Sequence, residues 1–228
     1  MSDYPNETAI WIAARLGKAT ASRMADICCT RKDGKPLAGR KKYMIELLAE
    51  RFTGMRLETY MSAAMLFGRE TEPQAQAAYL RKTDQMGFKP NFIDHPTIPM
   101  TGCSCDLLVD DDGLAEFKSP ETHTHLGYFI ERVVPEDYLY QIHWQLDCTG
   151  RKWADFVSFD PRLPERLQMV VNRVNREPSI IKSMRENVTA FLHEMEVITE
   201  TLMGERHLES QSVGDDVYSG IEFKRTVK

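Results

Sequence analysis

Several features that mark secreted or membrane proteins are missing from this chain. Its five cysteines are an odd number and include the adjacent pair Cys28 and Cys29, which does not suit a disulfide framework. No apolar run approaches the roughly 20 residues that a membrane-spanning helix needs. The N-terminal sequence MSDYPNETA also lacks the basic-then-apolar order of a signal peptide. These absences predict a cytoplasmic protein in a reducing compartment, without membrane association.

An excess of positive charge is also missing, since the formal net charge of the 228 residues is −5. This average counts against nucleic-acid binding, but the distribution of charge matters more than its sum. Six basic residues and one acid fall between Arg31 and Lys42. Gly34, Pro36 and Gly39 indicate a loop there that leads into a helix. The segment is either a solvated loop or a contact for nucleic-acid phosphates.

The order of the predicted elements is that of an α/β protein. Periodicity predicts helices over 10–16, 21–28, 41–52, 62–83, 136–148 and 179–203, and strands over 88–94, 98–102, 107–110, 114–118, 153–159 and 168–174. Residues 123–132 suit a helix or an ordered loop, and residues 217–226 suit an edge strand. In open sheets of this class, ligands gather at the ends of strands.

Pro73 interrupts the helical segment 62–83. A proline inside a helix removes one hydrogen bond and clashes with the carbonyl group four residues earlier. Either the helix kinks there, or a second helix begins with Pro73 at its first position. Glu72 lies at this irregularity, which would allow its acidic side chain to leave the regular helical surface.

An acidic hairpin is the centre of the functional interpretation. The strands 107–110 and 114–118 are joined by Asp-Asp-Gly, a three-residue loop whose last residue, Gly113, suits the left-handed region. This loop would pair residue 110 with residue 114, and would place Asp106 opposite Lys118.

Side chains alternate along a strand, so Glu116 and Lys118 share a face and Glu116 is a diagonal neighbour of Asp106. Phe117 faces the core, which leaves its carbonyl oxygen available as a ligand. Oxygen ligands of this kind suit Mg²⁺, and a neighbouring lysine can orient or deprotonate the attacking water. This acid, spacer, Glu-x-Lys arrangement is typical of the restriction-endonuclease-like nuclease fold. The alternative is a solvated hairpin with a cross-strand Asp–Lys pair.

Two other kinds of metal site fit the sequence less well. Cys103 and Cys105, with His123 and His125 downstream, match no common zinc spacing, so buried thiols are favoured. A calcium-binding loop fails because its first ligand position would be Leu108.

Six segments in order resemble the lambda-exonuclease (YqaJ-type) phage recombinase family, within the restriction-endonuclease-like superfamily. They are Arg15-Leu16-Gly17 with Thr20-Ala21-Ser22, Phe67-Gly68-Arg69 with Glu72, Cys103-Ser104-x-Asp106, Glu116-x-Lys118-x-Pro120, Tyr138-x-x-Gln141, and Phe159-Asp160-Pro161-Arg162. The chain departs from the family where Cys105 and Leu107 flank the aspartate in place of Pro and Gly. Ser119 replaces the cysteine that commonly follows the lysine, and Pro73 directly follows the supporting acid.

The resemblance implies a restriction-endonuclease-like α/β core, with a mixed β-sheet flanked by helices. Residues 1–204 would form a single nuclease domain, and 205–228 a C-terminal extension that is loose or lies at a subunit interface. The implied activity is a Mg²⁺-dependent 5′-to-3′ exonuclease that degrades one strand of linear double-stranded DNA. It would release mononucleotides and leave 3′ overhangs for a single-strand annealing protein. A ring-shaped homotrimer is implied, in a phage or prophage protein of the bacterial cytoplasm.

The resemblance also implies roles for particular residues. The metal ligands would be Asp106, Glu116, the Phe117 carbonyl and, for the second of two Mg²⁺ ions, Glu72, with Mn²⁺ as a substitute. Lys118 would position the attacking water, supported by Gln141 and Tyr138. The 5′-phosphate pocket would consist of Arg15, Ser22 and Ser104, and Arg31 or Lys32 would contact DNA. The alternatives are an endonuclease of the same fold and a non-catalytic protein that binds DNA ends.

Overall fold

The computed structural model describes residues 9–57 and 61–204. The helices are α1 (Ala9–Arg15), α2 (Met24–Cys28), α3 (Ala38–Thr53), α4 (Ala63–Thr83), α5 (Thr122–Glu131), α6 (Glu136–Thr149) and α7 (Pro178–Met203). The strands are β1 (Ala19–Thr20), β2 (Gly87–Phe88), β3 (Ile93–Asp94), β4 (Thr101–Cys103), β5 (Leu107–Val109), β6 (Gly113–Lys118), β7 (Trp153–Phe159) and β8 (Met169–Asn175). This order confirms the predicted α/β class.

The strands form two mixed sheets. The larger sheet has the order β2-β5-β6-β7-β8, in which β6 and β7 run parallel and the other neighbours antiparallel. The smaller sheet has the order β1-β4-β3, in which β1 and β4 run parallel. Parallel neighbours need a crossover connection, and α5 and α6 supply it between β6 and β7. The strand that carries the predicted Glu-x-Lys motif is therefore the central strand of the larger sheet.

The two faces of the larger sheet pack against different helices. Leu114 and Phe156 belong to a core shared with α2, α3, α6 and α7. Phe117 belongs to a second core with α4, where the Tyr79 ring meets it edge-on at 5.6 Å between centroids. Because side chains alternate along a strand, Glu116 lies on the face that α6 covers.

The acidic hairpin is present, but its predicted register is wrong by two residues. Leu108 pairs with Leu114, and the left-handed residue of the turn is Asp110, with φ 44°. Aspartate tolerates this conformation better than most residues other than glycine. Gly113 instead begins β6, where an added Cβ would lie 2.1 Å from the ring of Trp153. The glycine is therefore needed for close packing rather than for the turn.

The shift in register preserves the predicted face of each side chain, because strand geometry repeats every two residues. Extended by one step, the observed register places Glu116, rather than Lys118, across from Asp106. Phe117, which lies between Glu116 and Lys118 in the chain, donates its N–H to Asp106 Oδ2 at 2.8 Å. The predicted Asp–Lys pairing across the hairpin is therefore replaced by a backbone contact.

Helix α4 continues through Pro73, so a second helix does not begin there. Ala75 and Tyr79, after the proline, are fully buried, and their packing stabilises the helix beyond the lost hydrogen bond. Glu72 remains on the helical surface, where its Oε1 accepts a hydrogen bond from Gln76, one turn later, at 2.9 Å. The expectation that Glu72 leaves this surface is therefore wrong.

Other boundaries differ modestly from the prediction. The segment 88–94 divides into β2 and β3, which belong to different sheets, and Pro90 between them has no N–H for a continuous ladder. The segment predicted as a helix or an ordered loop over 123–132 is a helix, α5, which ends at Glu131. The predicted strand 217–226 lies outside the described residues. Within the described ranges, no helix combines the length and apolar character needed to cross a membrane.

Asp147 ties the C-terminal half of α6 to three other segments. Its buried carboxylate accepts hydrogen bonds from His95 at 3.0 Å, from Arg176 at 2.6 Å and from Arg185 at 2.6 and 2.7 Å. Burial alone would raise the pKa of Asp147, but these donors together lower it. His95 also stacks on Trp144, with 5.0 Å between ring centroids. The helix that faces Glu116 is thus fixed by a charged network on its other side.

Candidate active site

Strand β6 carries Glu116 into a buried position where three side chains donate to its carboxylate. Glu116 Oε1 accepts from Lys118 Nζ and from Gln141 Nε2, both at 2.6 Å. Its Oε2 accepts from Gln145 Nε2 at 2.6 Å. Helix α6 supplies both amides, because Gln141 and Gln145 are four residues apart and share a helical face. The structure thus brings together the predicted residues Glu116, Lys118 and Gln141.

Asp106, just before β5, is close enough to Glu116 and Lys118 for their charges to affect its pKa. Burial raises the pKa of Asp106 well above its ordinary value, and the charges of Glu116 and Glu72 raise it further. Lys118 and the N–H of Phe117 act in the opposite direction. The negative charges of Glu116 and Glu72 therefore oppose ionisation of Asp106.

Lys118 lies between these acids and an aromatic ring. Burial would lower the pKa of Lys118, but Glu116 and Asp106 raise it overall, so its side chain stays an ammonium. Its Nζ lies 5.0 Å from the centroid of the Tyr138 ring. Tyr138 thus contacts the site through a cation–π interaction with the lysine rather than through the carboxylates.

Glu72 approaches the cluster from α4. Besides Gln76, its Oε1 accepts from Lys89 Nζ at 2.7 Å. Gln76 Nε2 also donates to the Asp106 carbonyl at 3.3 Å, which joins α4 to the start of β5. Glu72, the third predicted acid, is therefore close to the hairpin and already paired with a lysine.

Two of the three residues predicted to bind phosphate line one cavity, and the third, Ser104, contacts Arg15. Arg15 and Ser22 line a cavity of about 480 Å³ between α1 and α3. Arg15 Nη1 donates to Ser104 Oγ at 2.7 Å, and its guanidinium lies 4.4 Å from the centroid of the Trp11 ring. Arg23 also lines the cavity. Arg23 is paired with Asp26 and Glu46, so the donors that the arrangement offers to an anion are the Arg15 guanidinium and the serine hydroxyls.

The two residues predicted to contact DNA lie in the exposed loop before α3. Arg31 and Lys32 are both exposed, and Arg31 forms an ion pair with Asp33 at 3.7 Å. Helix α3 begins at Ala38, three residues earlier than predicted, so the basic segment divides between loop and helix.

Sequence reasoning missed three residues that hold the acids in place. Gln145 had a local signal, since it follows Gln141 by one helical turn. Gln76 had the same spacing from Glu72. Lys89 had no local sequence signal, because it contacts Glu72 from the connection between β2 and β3.

The alternative of a zinc site finds no support. Cys103 and Cys105 are buried, with 3.7 Å between their sulfur atoms. His125 instead bonds Ser158 Oγ and the Leu167 carbonyl, each at 2.8 Å. The thiols are thus core residues, as predicted.

The donor set suits a hard divalent cation, although it is not preassembled. Across residues 9–57 and 61–204, no three histidine, cysteine or acidic side chains are arranged for coordination. N–H groups hold the carboxylates of Asp106, Glu116 and Glu72 instead. Burial first, and the charges of Glu116 and Glu72 second, raise the pKa of Asp106, and a bound cation would offset both effects. Carboxylate oxygens are the ligands that Mg²⁺ prefers, so the chemistry of these residues fits the ion.

Comparison with known proteins assigns the chain to a family. The family model for the YqaJ-like viral recombinase domain matches residues 10–152. The chain belongs to this family. Family membership identifies it as a nuclease, in agreement with the predicted resemblance. No curated protein sequence matches the chain significantly.

Solved structures support this assignment. The alkaline exonuclease LHK-Exo from Laribacter hongkongensis is 42% identical, with a TM-score of 0.80, over 87% of this chain and 97% of that one. LHK-Exo in complex with dAMP is similar at 41% identity and a TM-score of 0.81, with the same coverage. A phage-related exonuclease from Haemophilus somnus 129PT is 16% identical over 81% of this chain and 96% of that one. Its TM-score of 0.66 shows a shared fold. The predicted nuclease fold is therefore confirmed.

Proposed function

We propose that this member of the YqaJ-like family is a Mg²⁺-dependent exonuclease that degrades one strand of linear double-stranded DNA from its 5′ end. The observation that carries the proposal is the contact of Glu116 with Lys118 beside Asp106, on the central strand. The cluster connects to the Arg15 cavity through Ser104. Such a site joins a centre for phosphodiester hydrolysis to a receptor for a terminal phosphate.

The chemistry that two bound Mg²⁺ or Mn²⁺ ions supply is activation of a water and neutralisation of the leaving oxygen. Asp106, Glu116 and the Phe117 carbonyl would hold one ion, and Glu72 would contribute to the second. The Lys118 ammonium orients the attacking water and stabilises charge on the phosphate. Gln141 would hold Glu116 and Tyr138 would hold Lys118.

The polarity of degradation follows from the proposed phosphate pocket. The guanidinium of Arg15 presents planar donors that match phosphate oxygens, and the Ser22 and Ser104 hydroxyls add further donors. A 5′-phosphate held there would place the first phosphodiester near the acids. The dAMP in the related LHK-Exo structure is a nucleoside monophosphate, the class of product that stepwise cleavage releases. The remaining strand would form a 3′ overhang for a single-strand annealing protein.

A homotrimeric ring would explain how an acidic chain processes DNA. A net charge of −5 is compatible with DNA binding if only the channel is basic. Arg31 and Lys32, both exposed, would contribute positive charge to such a channel. A closed ring would keep the enzyme on its substrate by topology, without tight binding. The setting would be a phage or prophage protein in the cytoplasm of its bacterial host.

Digestion of defined duplexes tests the proposal. The substrates are linear DNA with a 5′-phosphate, the same DNA with a 5′-hydroxyl, and closed circular DNA, each with Mg²⁺ or with a chelator. We expect Mg²⁺-dependent release of mononucleotides from linear ends, faster with the 5′-phosphate, and no cleavage of the circle. Cleavage of the circle would instead indicate an endonuclease. Binding to DNA ends without degradation would indicate a non-catalytic protein.

A further inference from the structure

Gln145 is a buried amide between the two functional regions, and neither the family resemblance nor the sequence assigned it a role. Its side chain is fully buried, and its Nε2 donates to Glu116 Oε2 at 2.6 Å. The same nitrogen lies 3.4 Å from the carbonyl oxygen of Ser104, whose hydroxyl accepts from Arg15. One amide group therefore contacts both the acidic cluster and the segment that holds Arg15.

The orientation of this amide is fixed by its surroundings. Both neighbours of Nε2, on Glu116 and Ser104, are oxygen acceptors without a proton to donate. Turning the amide by 180° would place its own oxygen against those two oxygens. Oε1 consequently points away, and it is buried with no hydrogen-bond partner within the described residues. A buried oxygen without a hydrogen bond is destabilising, and here it accompanies the N–H group that binds Glu116.

The acceptor positions of Glu116 show what the N–H group does. A carboxylate offers about four lone-pair positions, two on each oxygen. Lys118 and Gln141 both bind Oε1, and Gln145 binds Oε2. One acceptor position on Oε2 is left. With both other donors on Oε1, the carboxylate could pivot about that oxygen if Gln145 were absent.

We infer that Gln145 is a positioning residue that fixes Glu116 Oε2, so that the one remaining acceptor position faces an incoming divalent cation. This role rests on the proposed metal-dependent function and adds a residue to it. Because Gln145 also contacts the Ser104 carbonyl, it sets the placement of the cation relative to the phosphate pocket. Gln141 thus holds Oε1 of the Glu116 carboxylate, and Gln145 holds Oε2.

Binding of Mn²⁺ without DNA tests this role separately from catalysis. Isothermal calorimetry compares the full chain with Gln145→Leu and Gln145→Met, which keep the volume of the side chain but lack the N–H. We expect the Kd for Mn²⁺ to rise about tenfold in both variants, a change of about 1.4 kcal/mol. The Mg²⁺ concentration for half-maximal digestion should rise in parallel, while the KM for DNA stays unchanged. Gln85→Leu is the matched control, because Gln85 binds Tyr79 on the opposite face of the sheet.

The outcomes separate this inference from the proposed function. Thermal melting establishes that each variant is folded, and Gln145→Met, the more flexible replacement, decides the matter if Gln145→Leu does not fold. Wild-type affinity for Mn²⁺ in a folded Gln145→Met protein would overturn the role of Gln145 and leave the metal site intact. A wild-type chain that binds no divalent cation would overturn both the metal site and this role. A tenfold loss in both variants, absent from Gln85→Leu, is the supporting result.

Discussion

Replacement of Asp147 by asparagine should destabilise the protein strongly although the side chain keeps its shape. The Asp147 carboxylate is shielded from water and binds His95, Arg176 and Arg185 at once. His95 Nδ1 accepts the N–H of Ile98 at 3.0 Å, so its Nε2 carries the proton that Asp147 accepts. Asparagine would keep one acceptor oxygen, but it would turn an NH₂ group toward one of these donors.

The expected loss in the free energy of unfolding depends on how far the partners of Asp147 are buried. Removal of one partner of a buried ion pair typically costs about 3–5 kcal/mol. The side chains of Arg176 and Arg185 are 27% and 44% exposed, so water can solvate part of their charge. We therefore expect the lower end, about 3 kcal/mol, in the free energy of unfolding. For a chain of this size that corresponds to a decrease in Tm of roughly 6–12 °C.

Thermal unfolding at neutral pH provides the measurement, and Asp112→Asn provides the control. Asp112 pairs with Lys152 at 2.8 Å, but the two side chains are 50% and 72% exposed. Such a surface pair contributes at most about 1 kcal/mol. An Asp147→Asn protein that melts within about 2 °C of the wild type, no lower than the control, would refute this reasoning.

The pH dependence gives a second readout of the same network. The folded pKa of Asp147 is below its ordinary value, so its contribution to stability is present above the unfolded pKa, about 3.9. This contribution is lost as the pH falls through that value toward the folded pKa. The difference in stability between wild type and Asp147→Asn should therefore shrink below about pH 4. A difference that persists unchanged to low pH would contradict the assigned charge state.

Two further substitutions test other parts of the structure. Lys118→Met removes the ammonium that lies 2.6 Å from Glu116 Oε1. It should lower the rate of single-turnover digestion about 10²–10⁴-fold while the protein remains folded, and a near-normal rate would remove Lys118 from the mechanism. Gly113→Ala places a Cβ 2.1 Å from the Trp153 ring. It should lower the free energy of unfolding by about 1–3 kcal/mol in a denaturant titration, and an unchanged midpoint would show that the ring can move aside.

The acidic hairpin could be predicted from the sequence because its chemistry depends on alternation along a strand. A register error of two residues leaves Glu116 and Lys118 on the predicted face. The turn itself could not be assigned, because both Gly113 and Asp110 tolerate a left-handed conformation. Only the ring of Trp153, 40 residues later in the chain and packed on Gly113, decides between them.

The helical support of the site was predictable only in part. The family resemblance identified Gln141, and the four-residue spacing extends the same face to Gln145. Local pattern cannot show that this face meets a carboxylate rather than solvent. That depends on β6 and α6 packing on each other, with the end of α6 fixed by Asp147 and its partners Arg176, just after β8, and Arg185 in α7. Contacts at such separations are set by tertiary structure, so the sequence alone did not reveal the network.

The central claim is that Asp106 and Glu116 hold a catalytic divalent cation. Anomalous diffraction from crystals soaked in Mn²⁺ tests it most directly, because the signal locates the ion independently of any activity. We expect a peak in contact with carboxylate oxygens of Asp106 and Glu116, which disappears in the Asp106→Asn protein. A well-ordered site without a peak, or a peak bound elsewhere while the wild-type enzyme digests DNA, would contradict it.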